Sequence, residues 1–571
     1  MVKFIRDQRI LKGLFIIGGS VILLAGCSRP FLVEPVTPTV SPPPAPEAEV
    51  PLPPSVSKPP RPIAPEKKEG LVIHLPTRVR IGVMEGQFNI SVAGEGLLIN
   101  GEKIEGDSVN FSLRESQPAK LIYRIVVGTF TPSNPEVEEL ADSWREKGYQ
   151  VALKEAGNLF SGDGQSVLDN RVIWLGLGRF EDKEKAEVFQ DRLLEEEGRQ
   201  GWILEELVET SVGQIDMFDQ TGSLVDTYSP PILITSDNPI KVKEVEYGGG
   251  YSWEGREDRE FNGRLEITLD NRGKLCLVNE LDLEDYLKGV LPYEISPKAP
   301  LEALAAQAIV ARGETLAKFE KRHLADPYHL CASQHCQVYG GLGRMTESVR
   351  EAVEKTRGEV LMYEGKMVDT VYSANCGGHT EDNENVWASL PDPCLRGVPD
   401  FDPEEVDFPN IITEEVLKEW LTTTPRAYCY DLESNKPEKF RWKVEYSAEE
   451  INRLINRDRD RGRVKDIIPL ERGVSGRLKA IRIVTDQEVF TVYKELPIRQ
   501  LLGNLRSAAF IVESKRDSEG NLLSFCFTGG GWGHGVGMCQ TGAAGMAKRG
   551  KPYQEILHHY FGKAEIKKLY Y

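Results

Sequence analysis

The chain has 571 residues, enough for roughly three or four domains that each bury a hydrophobic core. Its formal net charge is −18 at pH 7, which argues against a nucleic-acid-binding protein, because such a protein would present a basic face. The apolar and charged fractions, 40% and 28%, are those of an ordinary globular protein. Charge and composition therefore argue against nucleic acid as a partner and do not decide the fold.

Residues 1–27 are predicted to be a targeting segment. A cationic start is followed by the apolar run LFIIGGSVILLAG at 14–26 and then by Cys27. This pattern resembles a bacterial lipoprotein signal, in which the cysteine is lipidated and becomes the new N-terminus. The alternatives are an uncleaved membrane anchor or a buried structural cysteine, although the apolar run is short for a spanning helix. We expect an extracytoplasmic protein held at the cell membrane and facing the cell wall.

Residues 28–70 are predicted to be a linker. They are dense in proline and almost free of aromatic residues, so they cannot build a core. An extended proline-rich chain of this length would reach on the order of 100 Å. The segment therefore serves either as a spacer toward the cell wall or as plain disordered chain.

Residues 119–210 show a βαββαβ order with an internal echo about fifty residues apart. The strand LIYRIVVGTF and the helix NPEVEELADSWREKG are echoed by RVIWLGLGRF and DKEKAEVFQDRLLEEEG. With VVGTF at 126–130, LGRF at 177–180 and helix ends at Gly148 and Gly198, the segment resembles the SPOR domain family. That resemblance implies a ferredoxin-like domain that binds peptidoglycan glycan strands stripped of their peptides. The alternative is a module of the same shape without a ligand.

The segments on either side of this unit, 71–118 and 225–571, are predicted to form one domain. Short runs of alternating apolar and polar residues predict strands at 71–118, and strands resume after the unit. From 299 onward a helix is indicated, with one apolar face at 3.6-residue spacing. We therefore predict an α+β fold: a β-rich catalytic body, interrupted by the βαββαβ unit, with a long buried helix after residue 295.

Four stretches in the last 290 residues belong together. They are LDLEDYLKGVLPYEISPKAPLEALAAQAIVAR, SQHCQVYGG at 333–341, YSANCGGHTEDNENVW at 372–387 and GGGWGHGVGMCQTGAAGMAKRG at 529–550. In this order they resemble the stage II sporulation protein D family. The resemblance implies a protein that cleaves cell-wall glycan, as a lytic transglycosylase acting on denuded strands, or a related amidase enhancer. It also implies that the glutamate of GVLPYEI, Glu294, is the catalytic acid.

The residues around Glu294 support that role independently. The carboxyl lies between Pro292 and Pro297, beside apolar residues, in what we predict to be a stiff turn before a buried helix. Desolvation in such a place raises a carboxyl pKa and suits a general acid for a glycosidic oxygen. The alternative is a partly exposed glutamate that stabilises the N-terminus of the next helix. Glu284 and Glu302 are the competing carboxylates, and both have structural explanations.

Two cysteine-rich stretches predict either a metal site or disulfides. CASQHC at 331–336 and CGGH at 376–379 offer cysteine and histidine, the natural ligands of zinc, at Cys331, His335, Cys336, Cys376 and His379. Disulfides are the alternative in an exported protein, for instance Cys331 with Cys336 or Cys376 with Cys394. The acid chemistry requires no cofactor, so we expect any zinc to stabilise the structure or to orient the substrate.

The glycine-rich stretch at 529–550 predicts a loop that a ligand can approach closely. Trp532 would stack on a sugar, while His534 and Gln540 would hydrogen-bond its hydroxyls; the alternative is a packing loop with His534 bonded internally. By their place in the family motifs, Gln334, Gln337, Tyr339, Tyr372 and Ser373 are further candidates to line the cleft.

The function predicted from these features is a peptidoglycan lytic transglycosylase that remodels the cell wall in sporulation. Its partners would be glycan strands, the membrane through lipidated Cys27 and a cell-wall amidase, with no nucleic acid. Two alternatives stay open: a non-catalytic glycan-binding protein that enhances an amidase, and a hydrolase that leaves reducing ends.

Overall fold

The computed structural model describes residues 72–75, 77–162, 167–199, 201–249, 254–387, 391–402, 413–430 and 437–571. The predicted signal segment, Cys27 and the proline-rich linker lie outside these residues. The described part is a mixed α and β structure that is rich in strands. Of the helices in these ranges, none combines the length and apolar character needed to cross a bilayer.

The described part of the chain starts with six strands before residue 118. They are β1 (Val72–His74), β2 (Arg78–Gln87), β3 (Asn89–Ala93), β4 (Leu98–Ile99), β5 (Glu102–Lys103) and β6 (Ser108–Gln117). In β2 the alternate residues Val79, Ile81 and Val83 are buried. A strand has a side-chain period of two, so this alternation turns one face of β2 to the core.

Residues 120–209 form a four-stranded sheet with two helices. The elements are β7 (Lys120–Phe130), α1 (Glu136–Glu146), β8 (Val151–Ala156), β9 (Leu159–Ser161), β10 (Val167–Asp169), β11 (Val172–Phe180), α2 (Lys183–Glu197) and β12 (Trp202–Glu209). The sheet has the order β12-β7-β11-β8 with antiparallel neighbours, while β9 lies between β1 and β10 in a separate sheet. The strand-helix order is therefore βαββαβ around a two-strand excursion, and the SPOR resemblance stays a prediction.

The next segment supplies the remaining strands of the body and its central helices. The elements are β13 (Val212–Phe218), β14 (Leu224–Tyr228), β15 (Ile232–Thr235), β16 (Ile240–Tyr247), β17 (Gly255–Phe261), β18 (Arg264–Leu269), β19 (Leu275–Asp282), α3 (Leu283–Glu294), α4 (Leu301–Lys318), β20 (Leu330–Cys331), α5 (Glu347–Lys355), β21 (Glu359–Tyr363), β22 (Lys366–Met367), β23 (Tyr372–Ser373) and α6 (Asn383–Val386). The two large sheets have the orders β14-β13-β6-β3-β16-β17 and β20-β2-β19-β18-β15-β4-β5. Strands from before and after residues 120–209 thus pair within both sheets.

Helix α4 is the centre of the body. It begins at Leu301 rather than at 299, with Pro300 as its N-cap residue, and all residues from Ala303 to Leu316 are buried. A helix that is buried on every side is typical of the core of a large domain. The chain also buries a charged pair here: Arg312 on α4 contacts Glu284 on α3 through Nε at 2.9 Å and Nη2 at 2.6 Å.

The last part of the chain adds a second core and then returns to the body. Its elements are α7 (Glu414–Thr422), a 3-10 turn (Pro437–Lys439), β24 (Arg441–Ser447), α8 (Ala448–Ile455), β25 (Val464–Arg472), β26 (Leu478–Thr485), β27 (Val489–Tyr493), α9 (Glu495–Leu501), β28 (Phe510–Arg516), β29 (Leu522–Gly530), β30 (Met538–Cys539), α10 (Gln540–Lys548), α11 (Tyr553–Phe561) and β31 (Glu565–Lys568). Residues between Trp442 and Phe527 share their own hydrophobic cluster. Beyond it, β30 pairs with β23 and β31 pairs with β21, so the C-terminal residues complete the body.

Candidate active site

Glu294 is the last residue of α3. The predicted turn between two prolines is wrong: Pro292 lies within the last turn of the helix, and the chain leaves the helix only after Glu294. The side chain is partly buried, and its Oε1 accepts a hydrogen bond of 2.6 Å from the backbone N–H of Val338. Burial is the main cause that raises the pKa of Glu294, to about 7, against the lowering effect of the Val338 bond.

One face of α4 turns toward this carboxyl. Gln307, Glu314 and Lys318 follow at helical spacing, and Gln337 lies against the same face. Glu314 accepts a 2.5 Å hydrogen bond from Nζ of Lys318 and a 3.2 Å bond from Nε2 of Gln337. The negative charge of Glu314 raises the pKa of Glu294, and the positive charge of Lys318 lowers it. Sequence reasoning missed both residues, whose i, i+4 spacing on a buried helix was the available signal.

Two of the sequence motifs meet at this place. Strand β23 pairs with β30 so that Tyr372 lies opposite Met538 and Ser373 opposite Cys539. The next residue, Gln540, donates through Nε2 to Oε1 of Gln307 at 3.2 Å and lies close enough to Glu294 to lower its pKa. The structure therefore brings Gln540 and Gln337 to the surroundings of Glu294.

Tyr372 also belongs to these surroundings. Its phenol is buried, and burial, followed by the charges of Glu294 and Glu314, raises its pKa well above the usual value. Ser373 is buried beside it. Tyr339 points elsewhere: its hydroxyl donates to Oδ1 of Asn279 at 2.6 Å, within the strand core. Gln334 is exposed on the loop before Gln337.

The glycine-rich loop is shaped by contacts within the protein. Gly535 has φ +81°, and a Cβ there would lie 2.3 Å from Cζ of Arg477; at Gly537, with φ +68°, it would lie 2.1 Å from the carbonyl oxygen of Val371. A side chain would be strained at either position and would collide with protein atoms. The close approach that these two glycines permit is therefore to the chain itself.

His534 and Trp532 hold this loop in place. Nε2 of His534 donates to the carbonyl of Tyr372 at 2.9 Å, and Nδ1 accepts from the N–H of Val536 at 3.1 Å. Burial lowers the pKa of His534 to about 3, so the ring is neutral. Both ring nitrogens are engaged by backbone, which corrects the expectation that His534 reaches a sugar hydroxyl. Trp532 is partly buried, with the guanidinium of Arg506 5.0 Å from its ring centre.

Three of the predicted metal ligands form one cluster with a histidine that the sequence analysis missed. His323, Cys331, His335 and Cys336 place one ligand atom each within 4.8 Å of one another. Nδ1 of His323 bonds Asp326 at 2.8 Å, which leaves its Nε2 for the cluster, 3.4 Å from Sγ of Cys336. Two cysteines and two histidines, with the Asp326 carboxylate bonded to His323, fit a tetrahedral zinc site.

The other two predicted ligands lie elsewhere, so the single five-residue site is wrong. Cys376 belongs to a second group, with Asp400, Cys429 and Cys539. His379 is in neither group: its Nδ1 donates to the carbonyl of Thr380 at 2.6 Å, and burial lowers its pKa to about 4. The reason is that CGGH follows strand β23, whose pairing with β30 leads away from the 331–336 loop.

The disulfide alternatives are absent from the structure. All eight cysteines from Cys276 to Cys539 are buried free thiols, including those of the two predicted pairs, Cys331 with Cys336 and Cys376 with Cys394.

Two protein families match this chain. The family described as "Stage II sporulation protein" matches residues 271–363, which carry Glu294, helix α4 and the 331–336 loop. A second, described as "Domain of unknown function", matches residues 381–537, which contain the second hydrophobic core and the first part of the glycine-rich stretch.

Three curated proteins illustrate what this chain is similar to. An uncharacterized protein of Brachyspira hyodysenteriae is 32% identical over 333 residues, 57% of this chain and 79% of the relative. Stage II sporulation protein D of Bacillus amyloliquefaciens is 28% identical over 308 residues, 51% of this chain and 75% of the relative. The amidase enhancer of Bacillus subtilis is 26% identical over 293 residues, 48% of this chain and 39% of the relative. With the family match across the Glu294 region, these relatives show that the chain belongs to the stage II sporulation protein D and amidase enhancer family.

Proposed function

We propose that this protein is a lytic transglycosylase that cleaves the MurNAc-GlcNAc backbone of peptidoglycan and leaves 1,6-anhydroMurNAc ends, in cell-wall remodelling during sporulation. The observation that carries the proposal is the carboxyl of Glu294, partly buried with a pKa of about 7. A general acid is most effective when its pKa lies near the working pH, because it is then protonated often enough to act and acidic enough to give the proton up.

The geometry suggests how Glu294 acts. Its Oε1 accepts from Val338, which leaves Oε2 to carry the proton. Glu294 donates this proton to the glycosidic oxygen as the bond to C1 of the muramic acid breaks. The resulting carboxylate then takes the proton from the C6 hydroxyl, whose oxygen closes the anhydro ring on C1. The carboxyl ends protonated, ready for another cycle, and no water is consumed.

Glu314, the second carboxylate near Glu294, is placed in a way that favours a reaction with a single acid. Ordinary glycosidases need two carboxyl groups, with the second as nucleophile or as base for a water. Glu314 is buried and held by Lys318 and Gln337, so its oxygens are engaged within the protein. Its role in the proposal is electrostatic: it keeps the pKa of Glu294 high.

The unit at 120–209 is proposed to hold the glycan, as the SPOR resemblance implies. Its helices cover one face of the sheet, over Ile125 and Leu175, and alternate strand residues turn Trp174 to the other face. Trp202 packs edge-on against Trp174 at 5.2 Å and is 43% exposed. An exposed indole of this kind suits stacking on a sugar ring.

This unit also packs against the catalytic body near the candidate site. Nδ2 of Asn170 donates to the carbonyls of Leu316 and Phe319 at the end of α4, at 2.6 and 3.1 Å. Nδ2 of Asn158 donates to Glu320 at 2.6 Å. Contacts of this kind would let glycan held by the unit continue toward the helix that carries Glu314.

His323, Cys331, His335 and Cys336 are proposed to hold a structural zinc ion. When bound, the ion would tie the loop at 331–336 to the end of the α4 region. That loop leads directly to Val338, whose N–H orients Glu294. The acid chemistry thus comes from Glu294, and the four zinc ligands would hold in place the loop that positions Val338, the hydrogen-bond donor to Glu294.

We further propose that the protein is a lipoprotein anchored in the cell membrane through Cys27, with residues 28–70 as the spacer toward the cell wall. The partners would be the membrane, peptidoglycan glycan strands and a cell-wall amidase. The amidase is proposed on the similarity to the amidase enhancer of Bacillus subtilis.

The test is mass spectrometry of the products from peptide-stripped glycan, with the full chain in detergent and Glu294→Gln in parallel. Anhydro-muramic ends made by the wild type and not by the variant would support the proposal. Reducing ends would mean a hydrolase. Glycan binding without cleavage would overturn the enzymatic proposal and favour the amidase-enhancer alternative, which is then tested by adding a purified cell-wall amidase.

A further inference from the structure

A second group of cysteine and aspartate side chains, of the types that ligate metals, lies apart from the histidine-containing cluster. Cys376, Asp400, Cys429 and Cys539 come from four separate segments of the chain, and all four are buried. Each offers one ligand atom, and these atoms lie within 4.8 Å of one another. The sulfurs of Cys376 and Cys429 are 3.6 Å apart. Three thiols and a carboxyl that converge in this way from distant segments are arranged around a common centre.

The dimensions fit one tetrahedral ion. With zinc-sulfur bonds of about 2.3 Å, ligand sulfurs in a tetrahedron lie about 3.8 Å apart. A cluster of several irons would hold its sulfur ligands farther apart than the distances found here. Thiolates are soft ligands that favour zinc over magnesium or calcium, which prefer oxygen.

Groups around the four side chains hold them in place. The N–H groups of Cys376 and Gly542 point at Sγ of Cys539, at 3.2 and 3.3 Å. Asp400 accepts from the hydroxyl of Tyr560 at 2.5 Å through Oδ1 and from the N–H of Cys429 at 3.0 Å through Oδ2. Such outer contacts are typical of metal ligands, because they orient the ligand atoms and stabilise their charge.

Three further features surround this group of side chains. Nε2 of His559 is buried without a hydrogen-bond partner among the described residues, 3.9 Å from Oδ1 of Asp400. Arg441 donates through Nη1 to the carbonyl of Gly377, the neighbour of Cys376, at 2.9 Å. Cys539 is also the N-cap residue of α10, whose positive helix end offsets thiolate charge.

We propose that Cys376, Asp400, Cys429 and Cys539 bind one zinc ion, in a site separate from that of His323, Cys331, His335 and Cys336. On binding, whatever protons these four side chains hold pass to solvent, and no group changes oxidation state. The ion fastens the segments after β23 and before β24 to the start of α10. Because Gln540 follows Cys539 directly and contacts Gln307 and the Glu294 carboxyl, the site positions Gln540 for the candidate active site.

The first test is the zinc content of the purified full chain in detergent. Cys376→Ser combined with Cys429→Ser is expected to lose one equivalent of zinc relative to the wild type. Cys394→Ser combined with Cys526→Ser is the matched control, since both cysteines are buried but lie outside the two groups, and should lose none. Unchanged zinc in the first variant would overturn the proposal.

A second test needs only the wild-type chain, in case the double variant does not fold. Alkylation with and without a zinc chelator is mapped by mass spectrometry. We expect the chelator to expose Cys376, Cys429 and Cys539 while Cys276, equally buried but on a strand of the body, stays protected. A disulfide between any two of the three cysteines, or protection that the chelator leaves unchanged, would contradict the proposal.

Discussion

The N–H of Val338 lies 2.6 Å from Oε1 of Glu294, and this bond joins the 331–341 segment to the end of helix α3. It orients a carboxyl whose acidity is set mainly by burial and then adjusted by the pair Glu314 and Lys318.

The rate of glycan cleavage should fall as the pH rises through about 7. Glu294 must be protonated to begin the reaction, and its pKa is about 7. Above that value the protonated fraction, and with it kcat/KM, drops about tenfold for each pH unit. The check is a pH profile on peptide-stripped glycan; a constant rate between pH 6 and 9 would exclude Glu294 as the acid.

Removing either of two charges on α4 should shift the pH at which the cleavage rate falls, in opposite directions. Glu314→Gln removes a negative charge near Glu294, so the fall in rate moves to lower pH. Lys318→Met removes a positive charge, so the fall in rate moves to higher pH. Each shift should be about one pH unit or less. Glu302→Gln is the control, because Glu302 pairs with Lys355 at the far end of α4. Shifts of the same sign in both variants would refute the electrostatic role.

Glu294→Gln should stabilise the fold at alkaline pH. The folded pKa of about 7 exceeds the ordinary 4.5, so the folded protein binds this proton more tightly than the unfolded chain. The contribution of Glu294 to the free energy of unfolding is therefore complete below pH 4.5. It decreases by about 1–3 kcal/mol as the pH rises to 7. A glutamine cannot ionise and avoids the loss. Thermal unfolding should show equal midpoints at pH 4 and a higher midpoint for the variant at pH 8.

Glu302→Gln is the control for that experiment, because it should change the stability at alkaline pH in the opposite direction. The Lys355 pair is among the causes that lower the pKa of Glu302, so its contribution to stability is present above the ordinary pKa and lost in acid. This variant should be less stable than the wild type at pH 8. A rise in midpoint for both variants would indicate a general effect of removing negative charge.

Glu284→Gln should damage the fold rather than the chemistry. Glu284 forms a two-point contact with Arg312 in the core, and the hydroxyl of Tyr570 also bonds its Oε1. Removing one partner of a buried pair leaves a charge uncompensated and costs about 3–5 kcal/mol. Glu513→Gln, which breaks the exposed contact with Lys418, should cost less than about 1 kcal/mol. Similar losses in both variants, measured by thermal unfolding, would contradict the buried-pair assignment.

Trp202→Ala should weaken glycan binding without changing the products. Loss of one stacked ring is worth on the order of 1 kcal/mol, roughly a fivefold rise in Kd. Val188→Ala on helix α2 is the control, because Val188 is 70% exposed but lies on the helix side of the sheet. Binding of peptide-stripped glycan is the measurement, and equal affinity in both variants would remove Trp202 from the proposed surface.

Local features of the sequence determined much that the structure shows. The alternation in the early strands, the apolar character of α4 and the short motifs around Glu294 depend on residues near one another in the chain. Periodicity and burial of single elements are therefore readable from the sequence. The turn predicted from the prolines beside Glu294 is wrong because Pro292 lies within the helix, a position that the local preference of proline disfavours.

Only the tertiary structure decided which side chains meet. Cys376 and His379 are close in the chain, yet the pairing of β23 with β30 sends Cys376 to Cys429 and Cys539 and leaves His379 outside both groups. His323 joins the first cluster from outside its motif. Ligand sets and pKa values depend on distances of a few ångströms between segments far apart in sequence, and packing alone sets those distances.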